Sequence, residues 1–191
     1  LCQEITLPTK PIQHIDDDSG EIALCILSAI NIGKIRDVSD LKSLCDLSVR
    51  SLDELIDFQG YPVEAAQIAT KARRSLGIGY IGLAHYLAKQ GVKYGDPKAW
   101  ELVHDLTEAF QYHLIESTVN LAKEKGACEY SDSTKYAQGI LPIDTYKKDV
   151  DELVPNNLKY DWETLRALVK EHGVRNSTLS AQMPSESSSV V

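Results

Sequence analysis

Ile22-Ala23-Leu24-Cys25-Ile26-Leu27-Ser28-Ala29-Ile30-Asn31-Ile32 is the stretch on which the fold turns. It is a continuous apolar run, rich in isoleucine, short, and bounded by turn residues. Such a run predicts a strand buried on both faces, and strands of that kind belong to parallel or mixed α/β sheets. Working outward, Leu41, Leu44, Cys45, Ser48, Leu52, Leu55 and Ile56 recur at three- and four-residue steps, which predicts a helix with Ser39 as its N-cap. Pro62 suits the first turn of a second helix reaching Leu76, and a third is expected from about Ile78 to Lys89, with Gly91 just past its end. Asp96-Pro97 opens the clearest helix, with Trp100, Val103, Leu106, Phe110, Leu114 and Leu121 on one face and Gly126 after it. A shorter helix is expected around Asp161 to Glu171, before His172-Gly173. Ser177 to Met183 then alternates polar and apolar residues as a strand does. Upstream of the deciding run, residues 1–20 read as an extended segment and loop, broken by Pro8, Pro11 and Ser19-Gly20. Strand, several helices and strand, with no tight hairpin signal, make a section of an α/β barrel or sheet.

The chain has 191 residues, 43% hydrophobic and 25% charged, with a formal net charge of −8. The acidic balance argues against DNA or RNA, whose backbone demands clustered Lys and Arg. A small nucleotide is still accommodated, because helix ends and hydroxyls can meet its charge. No apolar run is long enough to span a bilayer, and Lys10 and Asp16-Asp17-Asp18 stand where a signal peptide needs apolar residues. Cys2, Cys25, Cys45 and Cys128 form no CxxC pair and no metal-like spacing with His14, His85, His104, His113 or His172. No metal site is expected, and a reducing cytoplasm is the expected setting. The chain starts at Leu1 and ends in Ser187-Ser188-Ser189-Val190-Val191, so both ends read as cut from something longer.

Gly77-Ile78-Gly79-Tyr80-Ile81-Gly82 matches GxGxxG by letter. A dinucleotide site needs a strand immediately before that motif, so that the turn delivers pyrophosphate to a helix N-terminus. Here Val63 to Leu76 reads as helix, and no strand ending in an acidic residue follows about 20 positions on. Small residues that let helices pack closely are the expected role of these glycines.

Cys2 and Glu4 are two residues apart, and in extended backbone such residues face one side with Cα atoms roughly 7 Å apart. A thiol and a carboxyl so placed can address neighbouring atoms of one small substrate. Taken alone, the pattern is weak, and Cys25 inside an apolar run reads first as a small hydrophobe. Cys45 falls on the apolar face of a helix and reads as core, while Cys128 receives no role.

Several stretches together change that balance. Leu1-Cys2-Gln3-Glu4-Ile5-Thr6-Leu7-Pro8-Thr9 and Ala23-Leu24-Cys25-Ile26-Leu27-Ser28-Ala29-Ile30-Asn31 resemble the large, catalytic subunit of class I ribonucleotide reductases. So do Gly77-Ile78-Gly79, Gly139-Ile140-Leu141-Pro142, Arg175-Asn176-Ser177-Thr178-Leu179-Ser180-Ala181 and Met183-Pro184-Ser185-Glu186-Ser187-Ser188. The resemblance implies a ten-stranded α/β barrel built of two five-stranded halves. Residues 1–191 would form an incomplete section of that catalytic barrel domain, with a large helical insertion and no allosteric domain. Cys2 would tip a central loop and become the thiyl radical that abstracts the ribose 3′-hydrogen. Glu4 matches the acid/base carboxylate, and Cys25 one thiol of the redox pair whose other member is absent from the chain. Pro184, Ser185, Glu186, Ser187 and Ser188 match the segment that binds the substrate diphosphate.

Elementary chemistry agrees with those roles. A desolvated setting keeps a cysteine protonated, as hydrogen-atom transfer requires. A carboxylate two residues along can take the adjacent proton. Hydroxyls and backbone N–H groups where a strand meets a helix suit a diphosphate.

The same resemblance implies partners: a ribonucleoside diphosphate, the rest of the large subunit, a metal-containing small subunit that supplies the radical, and thioredoxin or glutaredoxin. It implies a homodimer of the complete subunit, with ATP and dNTP effectors bound elsewhere. The family's Asn two residues before the radical cysteine, its second redox cysteine, its relay tyrosines and its shuttle cysteines all fall outside this chain. An excerpt or one product of a split gene is therefore expected, inactive alone. Competing readings are a non-catalytic helical assembly module, and a relative drawing its radical from a cobalamin or glycyl source. Intact Cys2, Glu4 and Cys25 disfavour the first, and the helical middle with Pro184-Ser185-Glu186-Ser187-Ser188 disfavours the second.

Overall fold

A computed structural model describes residues 4–185 of the chain. Two parallel strands form its centre, β1 (Ile26–Asn31) and β2 (Leu76–Ile81), in register from Ile26 opposite Leu76 to Asn31 opposite Ile81. A third stretch joins the far edge of β2 in parallel, bridging Ser180 to Ile78. There the N–H groups of Leu76 and Ile78 donate to the carbonyls of Thr178 and Leu179, and Ala181 N–H donates to the Ile78 carbonyl. The result is a small open sheet among helices, a partial α/β layer.

Helices α1 (Asp40–Phe58) and α2 (Glu64–Arg73) connect the two strands. After β2 come α3 (Leu83–Lys89), α4 (Pro97–Lys125), the single turn α5 (Pro142–Thr145) and α6 (Trp162–His172). Helix α1 buries Leu41, Cys45, Val49, Leu52 and Ile56, one stripe at helical spacing, against the sheet and α4. Helix α4 answers with Leu106, Phe110, Leu114 and Leu121. Each such side chain, fully buried, contributes about 1.5–3 kcal/mol. Pro97 occupies the first turn of α4, and Gly126 ends it at φ +87°, a conformation that glycine adopts without strain. Asp161 caps α6, its Oδ1 accepting from Thr164 N–H.

Beneath the N-terminal ends of β2 and the third stretch sits a buried polar cluster. Asp53 of α1, with no exposed surface, accepts from Arg74 Nε at 2.6 Å, Asn176 Nδ2 at 3.0 Å and Arg175 Nε at 3.2 Å. Asn176 also accepts from Thr118 Oγ1 of α4 at 2.9 Å. Arg74 is the only non-glycine residue at positive φ among the described residues, at 48°. The bonds to Asp53 and Asp57 hold its guanidinium while the backbone turns sharply from α2 into β2. Burial would lower the Arg74 pKa, but hydrogen bonds to Asp57 and Asp53 outweigh it and raise it.

Several expectations need correction. The strand expected over Ile22–Ile32 begins at Ile26 and ends at Asn31, so Cys25 stands just before it. Nor is it covered on both faces, since Leu27 is 44% exposed while Ile30 is buried. α1 covers only one side of the sheet. Gly77 to Ile81 is a strand and not the start of the third helix, which begins at Leu83, and α2 stops at Arg73. The glycines accordingly admit a neighbouring strand and not a neighbouring helix. Ser39 does not cap α1: its hydroxyl donates to Asp37 in a local turn. Finally, only part of the alternating 177–183 stretch pairs as strand.

Candidate active site

Parallel pairing puts Leu27, Ala29, Gly77 and Gly79 on one face of the sheet. Ile30, Leu76 and Ile78 lie on the other, in the core, and Tyr80 packs edge-on against Phe110 of α4 at 5.5 Å. The first face is floored with small residues. A Cβ added to Gly77 would lie 2.5 Å from Leu27 Cδ2, 3.4 Å from Ala181 Cβ and 3.8 Å from Cys25 Sγ. A Cβ added to Gly79 would lie 2.5 Å from the Ala181 carbonyl oxygen and 3.1 Å from Met183 Cε. Residues two apart in a strand are separated by roughly 7 Å. Cys25 therefore stands over Gly77, and Met183, the residue before Pro184, over Gly79, on one glycine floor whose two positions are about that far apart.

The segment carrying Glu4 is tied to the same sheet. Lys10 and Glu21 pair backbone to backbone across the loop. The Glu21 side chain is buried, ion-paired with Lys10 at 2.5 Å and Arg73 at 2.7 Å, and accepts from Tyr130 Oη at 3.0 Å. The Arg73 guanidinium lies 4.0 Å from the centre of the Tyr130 ring, a cation–π contact. Ahead of this anchor, Thr6 and Pro8 line a cavity of about 540 Å³ with Arg73, Ser133, Leu141, Ser177 and Thr178. That places the run containing Glu4 beside the N-terminal end of the third stretch, as Cys25 stands at the N-terminal end of β1.

Of the residues singled out in the sequence, Glu4 and Cys25 are half-buried, Pro184 is exposed and Ser185 half-buried. Cys2, Glu186, Ser187 and Ser188 lie outside the described residues. Cys45 is core, as its helical spacing predicts, and burial pushes its thiol up to about 12. Cys128 is buried as well, with its pKa raised by desolvation. Among the described residues no group of three or more His, Cys, Asp or Glu could hold a metal ion, and no helix is long and apolar enough to cross a membrane. Sequence reasoning missed the supports, Glu21, Arg73, Asp53, Arg74 and Gln182. The one available signal was the Arg73-Arg74 pair at the end of an otherwise amphipathic helix, a costly place to bury two charges without partners.

A model of the family described as ribonucleotide reductase, barrel domain, matches residues 1–191. The ribonucleoside-diphosphate reductase subunit alpha of Haemophilus influenzae is 61% identical over 191 residues, and the ribonucleoside-diphosphate reductase 1 subunit alpha of Escherichia coli K12 is 54% identical. That of Enterobacteria phage T4 is 45% identical over 193 residues. In each comparison all of this chain is covered but only 25% of the relative, so the chain spans a quarter of the length of these proteins. A match running from the first residue to the last, beside relatives more than half identical, makes this chain a member of the ribonucleotide reductase barrel-domain family.

Proposed function

We propose that the chain is the part of a ribonucleoside-diphosphate reductase catalytic subunit that carries the radical cysteine, one redox thiol and the diphosphate segment. The observation that carries this is the glycine floor, which brings Cys25 and the approach to Pro184-Ser185 together in a chain matched throughout by reductase alpha subunits. In the complete subunit the open sheet would be one section of a ten-stranded barrel, and residues 1–191 part of that single catalytic domain.

In this reading a Cys2 thiyl radical takes the 3′-hydrogen of the ribose, forming an S–H bond and leaving the unpaired electron on C3′. Glu4 takes the 3′-OH proton as the 2′-OH, protonated by the thiol pair to which Cys25 belongs, leaves as water. Cys25 and a thiol from elsewhere in the subunit give two electrons and close a disulfide, which thioredoxin or glutaredoxin reopens. Cys2 then returns the hydrogen to C3′. A metal-containing small subunit supplies the radical. ATP and dNTP effectors act outside this chain, on a homodimer of the whole subunit in the cytoplasm. Pro184, Ser185, Glu186, Ser187 and Ser188 hold the diphosphate with hydroxyls and backbone N–H groups, chemistry that needs no Lys or Arg.

The test separates the two thiols in the complete reductase with its small subunit. Cys2→Ser should abolish all substrate chemistry, because a hydroxyl cannot carry the radical. Cys25→Ser should still cleave the 3′-C–H bond, read as isotope release from 3′-labelled substrate, yet complete no reduction. Identical behaviour of the two variants would show that the roles are wrongly assigned.

A further inference from the structure

We propose that Gln182 is a positioning residue: its side-chain amide replaces a peptide unit of the third stretch and so sets the direction in which the chain leaves the sheet at Pro184. At Ile78 the parallel ladder is regular, with Ile78 N–H donating to the Leu179 carbonyl and Ala181 N–H donating to the Ile78 carbonyl. Moving two residues along, the next rungs would run from Tyr80 N–H to the Ala181 carbonyl and from Met183 N–H to the Tyr80 carbonyl. Instead Tyr80 N–H donates to Gln182 Oε1 at 2.9 Å, and Gln182 Nε2 donates to the Tyr80 carbonyl at 3.1 Å. A carboxamide carries a donor and an acceptor in one plane, as a peptide does, so it can fill both rungs.

Two neighbours fix the point of departure. Gln111 Nε2 of α4 donates to Ser180 Oγ at 2.8 Å, holding the last regular rung. Gly79 lets the Ala181 carbonyl come closer than any side chain would allow. With the ladder at Tyr80 completed by a side chain, the backbone of 182–183 is free to turn out of the sheet. Pro184 follows, and it has no N–H to offer a ladder. Gln182 itself is exposed and adds little to the core, so its use lies in aiming what comes next.

The inference rests on the diphosphate reading of residues 184–188, and the experiment separates the two. In the complete reductase with its small subunit, steady-state kinetics are measured for Gln182→Ala, Gln182→Met and the double variant Ser187→Ala, Ser188→Ala. Both Gln182 variants should raise KM for a ribonucleoside diphosphate about 5- to 150-fold, the scale of losing two neutral hydrogen bonds, while kcat changes by less than about twofold. Methionine keeps the length without the amide, so recovery in Gln182→Met would mean that packing matters and would overturn the proposal. A fall in kcat at constant KM, the signature of fewer folded molecules, would also overturn it. If only the serine double variant raises KM, the diphosphate reading stands and the role of Gln182 falls. If no variant raises KM, both fall.

Discussion

Glu21 sits almost out of solvent and yet stays ionised. Burial would raise its pKa, but hydrogen bonds from Arg73, Lys10 and Tyr130 outweigh burial and bring it from 4.5 to about 2. The folded chain then binds fewer protons than the unfolded one. The stability Glu21 adds is complete above about pH 4.5 and is lost as pH falls toward about 2. Near pH 7, Glu21→Gln should destabilise the subunit by about 1–3 kcal/mol, the scale of losing charged hydrogen bonds. Thermal melts at decreasing pH should show the gap between wild type and variant narrowing. A gap independent of pH would mean that the anchor of the Glu4 segment does not depend on charge. None of this was legible in the sequence, where Glu21 is one acid after a Ser-Gly turn. Its partners are brought in from Lys10 on the same loop, Arg73 at a helix end and Tyr130 far downstream, and only the fold brings them together. Cys25 and Glu4 were singled out through family motifs alone, and Cys45 was legible as core through its spacing.

At the scale of elements, the helices were readable because their signals are local. Pro97 and Gly126 punctuate α4, and Asp161 and Gly173 punctuate α6. Strand β2 was not, because Leu-Gly-Ile-Gly-Tyr-Ile carries two residues that weaken strands and shows no alternation of burial. Its glycines exist for the neighbour: each is a place where another chain segment comes too close for a Cβ. Gly79→Ala should therefore destabilise the subunit by about 1–3 kcal/mol, the range for overpacking. Gly95→Ala, where an added Cβ meets nothing within 4 Å, should stay within about 0.5 kcal/mol of wild type. Chemical denaturation of both variants checks this, and equal effects would show that the close approach at Gly79 is not needed. The third stretch was legible as alternating residues but not in its extent, because its last rungs are made by a side chain.

For the whole molecule, the open sheet and the quarter-length match have one meaning. β1 leaves Leu27 uncovered at 44% exposed, and the chain spans only a quarter of the length of the reductase subunits it matches. The chain by itself should form no deoxyribonucleotide from any ribonucleoside diphosphate, even with a radical-generating small subunit present. Supplying the remaining segments of the subunit should restore turnover, measured as product formation. Activity of the 191-residue chain alone would contradict the division of labour proposed for it.

The cluster around Asp53 also bears on the order in which such a chain assembles. Arg74 lies 21 residues from Asp53 and can find it early, but Asn176 lies 123 residues away. The entropy of closing the longer loop must be met before Asn176 contributes anything, so this partner arrives late. Until it does, Asp53 lacks a donor and Thr118 lacks its acceptor at a place water is about to leave, and the half-built state is penalised. The last bond to form is thus the one that locks the strand leading to the serine-rich segment. Molecules that have not closed this loop leave the far edge of β2 unpaired.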